Sequence, residues 1–152
     1  MSTPATSGRD ASPPRTFKER RQPESLRLRS LTPTFTVDDL ESSITWYRDG
    51  LGFHVAEKWE ENGRLMGVML QAGACQLGLS QDDFSKGRTR TKGVGFRIWC
   101  ETTQDIDALA ERLRRAGGKI VEDPGERYGS YSFTVEDPDG FKIMITRVRV
   151  PD

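Results

Sequence analysis

A single histidine among 152 residues limits the chemistry this chain can do. His54 alone cannot supply a two-His-one-carboxylate triad or a multi-His zinc site within one chain. Cysteine is nearly as scarce, with only Cys75 and Cys100. Each alternates with apolar neighbours in an expected strand, which reads as a pair of buried free thiols in a reducing cytoplasm, although a bridge between them stays open. Neither lies beside a histidine that could activate it as a nucleophile. Long apolar runs are missing as well. No stretch approaches the ~20 residues of a membrane span, and the N-terminus has no signal-peptide core, so the expectation is a cytoplasmic protein with no membrane partner.

Apolar residues make up only 34% of the chain, low for a compact domain, so part of it is expected to lie outside the core. That part is residues 1–30, rich in Ser, Thr, Pro and Arg, with no apolar periodicity before Leu26. The formal net charge is zero, but these residues carry seven Lys/Arg against three Asp/Glu, a local excess of +4 that leaves −4 on the remainder. We read them as a disordered basic arm that aids solubility, in preference to a nucleic-acid contact.

The rest of the chain alternates strand and helix signals. Leu31 to Val37 reads as a strand, with Leu31, Phe35 and Val37 on its covered face. Asp38 or Asp39 then caps a helix whose stripe is Leu40, Ile44, Tyr47 and Leu51. Strands follow over residues 53–59, 65–71 and 75–80, with turns at Asn62-Gly63 and Gly73. After a polar linker, residues 81–92, the order restarts. Residues 94–100 form a strand, Thr102 or Thr103 caps a second helix carrying Ile106, Leu109, Ala110 and Leu113, and Gly117-Gly118 stops it. A short strand over 119–121 and the strands 128–135 and 141–146 close the unit. The last two are joined by the turn Asp137-Pro138-Asp139-Gly140. The chain therefore contains β-α-β-β-β twice, in residues 31–80 and 93–148, within one domain spanning 31–148. Phe35-Thr36-Val37 matches Phe96-Arg97-Ile98 in this repeat.

The duplicated unit, the run Tyr47-Arg48-Asp49-Gly50-Leu51-Gly52-Phe53 and the terminal Asp137-Pro138-Asp139-Gly140 followed by Ile143 together resemble the vicinal oxygen chelate (VOC) superfamily. It includes glyoxalase I, extradiol dioxygenases and the fosfomycin- and bleomycin-resistance proteins. The resemblance implies an α+β fold of two tandem βαβββ modules forming a mixed, cup-shaped eight-stranded sheet. It also implies four cup-facing positions that carry His or Glu in the family's metal enzymes. By motif spacing these are Thr32, Gly78 (or Gln76), Gly93 and Met144. Thr and Gly are poor or absent ligands, and the Met144 thioether suits only soft metals. No catalytic metal and no other cofactor is expected.

Strand alternation gives the cup lining. With Phe96, Ile98 and Cys100 toward the helix, Arg97 and Trp99 face the cup, joined by Thr34, Thr36, Gln76, Lys142 and Met144. Trp59, Met69, Tyr128 and Tyr131 are further contributors. Rings beside an arginine suit a flat or anionic organic molecule. The ligand-binding set is taken as Thr34, Gln76, Arg97, Trp99, Tyr128 and Met144. The expected function is metal-free binding of a small aromatic or anionic molecule by a homodimer. This is similar in class to the bleomycin-resistance proteins, whose clefts combine modules of two chains. The alternative is a metal-dependent lyase, isomerase or dioxygenase of the same superfamily with non-standard ligands.

Overall fold

A computed structural model describes residues 25–148, so most of the basic arm expected over residues 1–30 lies outside the described residues. The chain divides into two units, residues 1–31 and Thr32–Asp152. All strands and helices among the described residues belong to the second.

Strand β1 (Thr34–Val37) leads into helix α1 (Leu40–Thr45), which passes into a π-helical segment, Trp46–Leu51. Asp39 is the cap, its carboxylate accepting from the Ser42 N–H at 3.1 Å. Gly52, at φ 84°, ends the segment in the left-handed region. Strands β2 (His54–Glu61), β3 (Arg64–Ala72) and β4 (Cys75–Gln81) complete the first module. The second repeats the order with β5 (Arg97–Thr102), α2 (Ile106–Arg115), β6 (Lys119–Arg127), β7 (Ser130–Glu136) and β8 (Lys142–Arg147).

The class is α+β as expected, and the strands number eight. They form two four-stranded sheets, ordered β1-β4-β3-β2 and β5-β8-β7-β6, in place of one continuous sheet. The physical reason lies at the edges. Strands β1 and β5 each end a sheet, parallel to β4 and β8, and no ladder joins one to the other among the described residues.

Alternation then assigns the faces. Phe35 and Val37, Val68 and Leu70, Leu77 and Leu79 point from the first sheet into the core. Phe133, Val135 and Ile143 do so from the second, meeting Ile106, Ala110 and Leu113 of α2. Phe35 stacks on Phe141 at 4.2 Å with Phe96 edge-on to both, so an aromatic cluster joins the modules. Leu31, expected on the covered face, is 85% exposed because regular pairing starts only at Thr34.

Polar contacts fasten the same seam. Tyr47 is fully buried and donates its hydroxyl to Asp137 Oδ2 at 2.7 Å. The Asp38 N–H donates to Asp139 at 2.8 Å. Lys92, from the segment between β4 and β5, reaches Asp38, Asp82 at 2.8 Å and Asp139 at 3.9 Å. One linker ammonium thus gathers carboxylates from both modules.

Several boundaries differ from the sequence expectation, among them β5, which starts at Arg97 where residue 94 is expected because Val94 and Gly95 lie in a turn, with Gly95 at φ 70°. Helix α2 is capped by Asp105, which accepts from the Ala108 N–H at 3.2 Å, because Thr102 still belongs to β5. Strand β6 runs to Arg127, past Pro124-Gly125, because register shifts between Glu122 and Gly125 absorb those residues. Tyr128 lies in the β6–β7 turn with φ 51°, followed by Gly129 at 76°. A two-residue turn with both φ positive suits the twist of a hairpin but rarely hosts a tyrosine.

Candidate functional site

The outer face of the second sheet, away from α2, is built by register. Trp99 lies opposite Met144, Met144 opposite Thr134, and Thr134 opposite Glu122, forming one row across four strands. Arg97 and Lys142 occupy the row on one side, and Glu101, Thr146, Ser132 and Gly125 the row on the other. Met144 is buried at 1% exposure, while Trp99 remains 53% exposed. The Tyr128 ring stands 6.3 Å from the Trp99 ring, tilted by 42°. Holding a non-glycine residue in the left-handed region costs on the order of 1–2 kcal/mol; here that conformation carries an exposed tyrosine beside an exposed tryptophan.

Glu122 is the electrostatic centre of this face. Thr134 donates its hydroxyl to Glu122 Oε1 at 2.6 Å. The guanidiniums of Arg97 and Arg127 approach its two oxygens at 3.6 and 3.4 Å. The Thr134 hydrogen bond, then the charges of Arg97, Arg127 and Lys142, hold the Glu122 carboxyl below its ordinary range. Three cations around one carboxylate leave positive charge over, next to the aromatic pair. Such a surface favours an anion attached to a flat ring.

Of the six residues expected to bind ligand, four come together here: Arg97, Trp99, Tyr128 and Met144. Thr34 and Gln76 lie on the outer face of the first sheet, beside Gly78 and Gln71 respectively. No hydrogen bond, ion pair or ring contact among the described residues links them to the other four. On that face Trp59, 47% exposed, lies over Gly67, where a Cβ would stand 3.3 Å from its ring. Met69 shares the face, across from Glu57 and Gly78. Tyr131 points the other way, donating to Asp107 of α2 at 2.7 Å. Glu122 and Arg127 are not legible as site residues in the sequence, where β6 is expected to stop at Val121, and Thr134, on the expected strand 128–135, is significant only through its pairing with Glu122.

The register also tests the metal positions. Leu77 and Leu79 pair with Leu70 and Val68 as Ile143 and Ile145 pair with Val135 and Phe133, so Gly78 and Met144 are equivalent. Thr34 lies opposite Gly78 and Trp99 opposite Met144. The residue two before Trp99, Arg97, therefore takes in the second module the place of Thr32 in the first. Gly93 is not that position. It has φ +77° and its Cα packs on the Asp137–Gly140 turn, where a Cβ would collide with the Gly140 carbonyl oxygen. The match of Phe35 to Phe96 shifts likewise, since Phe35 corresponds to Cys100.

The four positions are thus Thr32, Gly78, Arg97 and Met144. Gly78 offers no side chain, and a Cβ there would stand 2.9 Å from the Thr34 methyl. A guanidinium is an obligate cation and repels a metal ion. This donor set does not fit the family's metal. Among the described residues, no group of three or more His, Cys, Asp or Glu is arranged to hold one elsewhere. The thiols also depart from expectation. Cys75 is exposed at the start of β4, and Cys100 is half-buried, with burial pushing its thiol up to about 11. The Cys100 thiol is therefore unionised and inert at neutral pH.

A family model described as Glyoxalase/Bleomycin resistance protein/Dioxygenase superfamily matches residues 29–145. Lactoylglutathione lyase GLX1 of Arabidopsis thaliana is 26% identical over 144 residues, covering 86% of this chain and 48% of the plant protein. The chain spans about half the length of the curated plant relatives it matches. Glutathione transferase FosA of Serratia marcescens is 26% identical over 114 residues, covering 74% of this chain and 75% of that protein. Among solved structures, a virulence protein from Salmonella typhimurium superposes with a TM-score of 0.61 at 26% identity, covering 82% of this chain and all of that one. No helix among the described residues is long and apolar enough to cross a membrane.

Proposed function

The chain belongs to the Glyoxalase/Bleomycin resistance protein/Dioxygenase superfamily, and within it we propose a protein that binds a small aromatic anion without a catalytic metal. One observation carries the reading: Arg97 stands where the repeat calls for a metal ligand. Its positive charge, with those of Arg127 and Lys142, takes over the anion-attracting role that a metal ion plays in a related enzyme. Trp99 and Tyr128 offer exposed ring faces, with the Met144 side chain buried in the same face.

The site is open in a single chain, since Trp59 and Trp99 leave exposed aromatic surface on the two outer faces. Two copies of the chain, each lending one outer face to the other, would close a cup around the ligand. Such a homodimer buries both tryptophans.

Calorimetric titration of the protein with aromatic carboxylates is the test. Saturable binding is expected, weakened at least about tenfold in Arg97→Gln through loss of a charge-assisted hydrogen bond. Absence of binding at millimolar ligand overturns the reading. The names of the relatives favour a second reading, a metal-dependent lyase or transferase. Elemental analysis of protein purified without a metal-binding tag separates the two. Metal near one equivalent supports the enzyme, and traces alone support metal-free binding.

A further inference from the structure

The symmetry of the modules brings the two thiols to one place on the seam. The buried helix stripes Leu40-Ile44-Tyr47 and Ile106-Ala110-Leu113 share their spacing, so Gly50 corresponds to Ala116. These counterparts face each other, since a Cβ on Gly50 would stand 4.0 Å from the Ala116 Cβ. A position that meets its own counterpart lies beside a two-fold axis. Across such an axis each contact occurs twice, with the modules exchanged.

One of these contacts is the stack of Phe35 on Phe141 at 4.2 Å. Phe35 lies opposite Leu79 and Cys100 opposite Ile145, which makes Cys100 the counterpart of Phe35. Three residues before Gly78 and Met144 stand Cys75 and Phe141, which makes Cys75 the counterpart of Phe141. The second copy of the ring stack is therefore a pair of cysteines, one from each module. Electrostatics agree with this placement. Burial and then the charge of Cys75 push the Cys100 thiol up, and a charge acts on a thiol in this way only from close by.

The pair is asymmetric. Cys75 is exposed at the start of β4, and Cys100 is half-buried in β5. An oxidant in solution reaches the first sulfur before the second. No ladder joins the two sheets among the described residues, so a bond here would be their one covalent link outside the chain itself.

We propose that Cys75 and Cys100 form an oxidation site, at which hydrogen peroxide converts the two thiols into a reversible disulfide between the modules. The Cys75 thiolate attacks one peroxide oxygen and the O–O bond breaks. The departing hydroxide takes up the proton that Cys75 released on ionising, leaving water and a sulfenic acid. The Cys100 sulfur then attacks the Cys75 sulfur. The S–S bond forms, the S–O bond breaks, and the second hydroxide takes the Cys100 proton to become water. Two electrons pass from the thiols to one peroxide. Cys100 stays protonated and so reacts slowly with reagents in solution; its place beside Cys75 offsets this, because a neighbouring group acts at a high effective concentration. The proposal is independent of what the outer face binds.

The test treats the full chain with hydrogen peroxide and follows mass, free thiols and melting. One disulfide within a single chain is expected, joining the tryptic fragments 65–86 and 98–112 and leaving no thiol for alkylation. The bridged chain melts higher by roughly 5–10 °C, and dithiothreitol restores the parent value. In Cys100→Ser oxidation stops at a Cys75 sulfenic acid that dimedone captures, and in Cys75→Ser the Cys100 thiol survives the same treatment. Bridges only between chains, or Cys75 carried to sulfinic acid while Cys100 stays free, set the two sulfurs beyond bonding reach and overturn the proposal. A bridged chain that melts below the reduced one also overturns it, because the bond then forms only in a distorted fold.

Discussion

Replacing Tyr47 by Phe removes one oxygen atom from the seam between the modules, and the cost can be worked out. The Tyr47 ring is fully buried, edge-on to Trp46 and Phe53, and Phe keeps that packing. What goes is the 2.7 Å bond to Asp137 Oδ2. Asp137 is 4% exposed, and its other oxygen, Oδ1, already accepts the N–H groups of Asp139 and Phe141, both at 2.9 Å. Oδ2 would be left buried without its donor, at about 1.5–3 kcal/mol for a bond to a charged group. For a domain of this size that lowers the melting temperature by roughly 6–12 °C.

The pH dependence of that deficit separates this mechanism from ordinary loss of packing. Burial pushes the Asp137 carboxyl above its usual range, and the Tyr47 hydroxyl partly opposes the push. A carboxyl raised in the folded state favours folding when protonated, so its contribution is fully present below the unfolded value and is lost as pH rises through the folded one. Without the Tyr47 donor the folded value rises further. The variant therefore falls furthest behind the parent at neutral pH and recovers as Asp137 takes up a proton, with the gap shrinking to under about 1 kcal/mol near pH 4. Urea unfolding of both proteins at several pH values measures it. A gap that stays constant with pH, or one below about 0.5 kcal/mol at pH 7, refutes the charged hydrogen bond as its cause.

Two further predictions concern the linker. Gly93→Ala sets a Cβ against the Gly140 carbonyl and asks for a positive φ of an L side chain, so a loss of roughly 3 kcal/mol or more is expected on urea unfolding; a change within experimental error would mean that the linker does not seat on the turn. Lys92→Met leaves Asp38, Asp82 and Asp139 facing one another, so the variant melts lower, and added salt restores part of the loss. Hydrogen bonds from Lys92, Phe84 and Arg90 hold the Asp82 carboxyl well below its usual range. That contribution is present above the unfolded value of about 3.9 and lost as pH falls through the folded one, so the acid limb of the parent's stability curve should be steeper than the variant's. Parallel acid limbs would refute Lys92 as the cause.

Much of the fold was legible in the sequence because its signals are local. Alternation in β1, β3, β4, β7 and β8, the capped stripe of α1 and the Asp137–Gly140 turn each follow from residues within reach of one another. What was misread depended on pairing. Pro124 and Gly125 look like the end of a strand when read alone, yet β6 continues through them because β7 supplies the ladder and the bulges absorb the misfit. That one boundary concealed Glu122 and Arg127, and with them the electrostatic centre of the face.

The repeat was misaligned by four residues, matching Phe35 with Phe96 where register matches it with Cys100. An even error preserves the side of the sheet, so Arg97, Trp99 and Met144 were rightly placed on the outer face. The same error moved each residue along the strand. It assigned the vacant ligand position to Gly93, a residue with no side chain, and hid that Arg97 occupies it. Alternation therefore tells which side chains share a face, but only the pairing of β5 with β8 tells which of them share a row. The chemistry of this site lies in its rows. Lacking a metal ligand is a weak statement about function, because many chemistries lack one. Carrying a guanidinium in that place is a stronger one, since an obligate cation there is what supports the proposed preference for an anion.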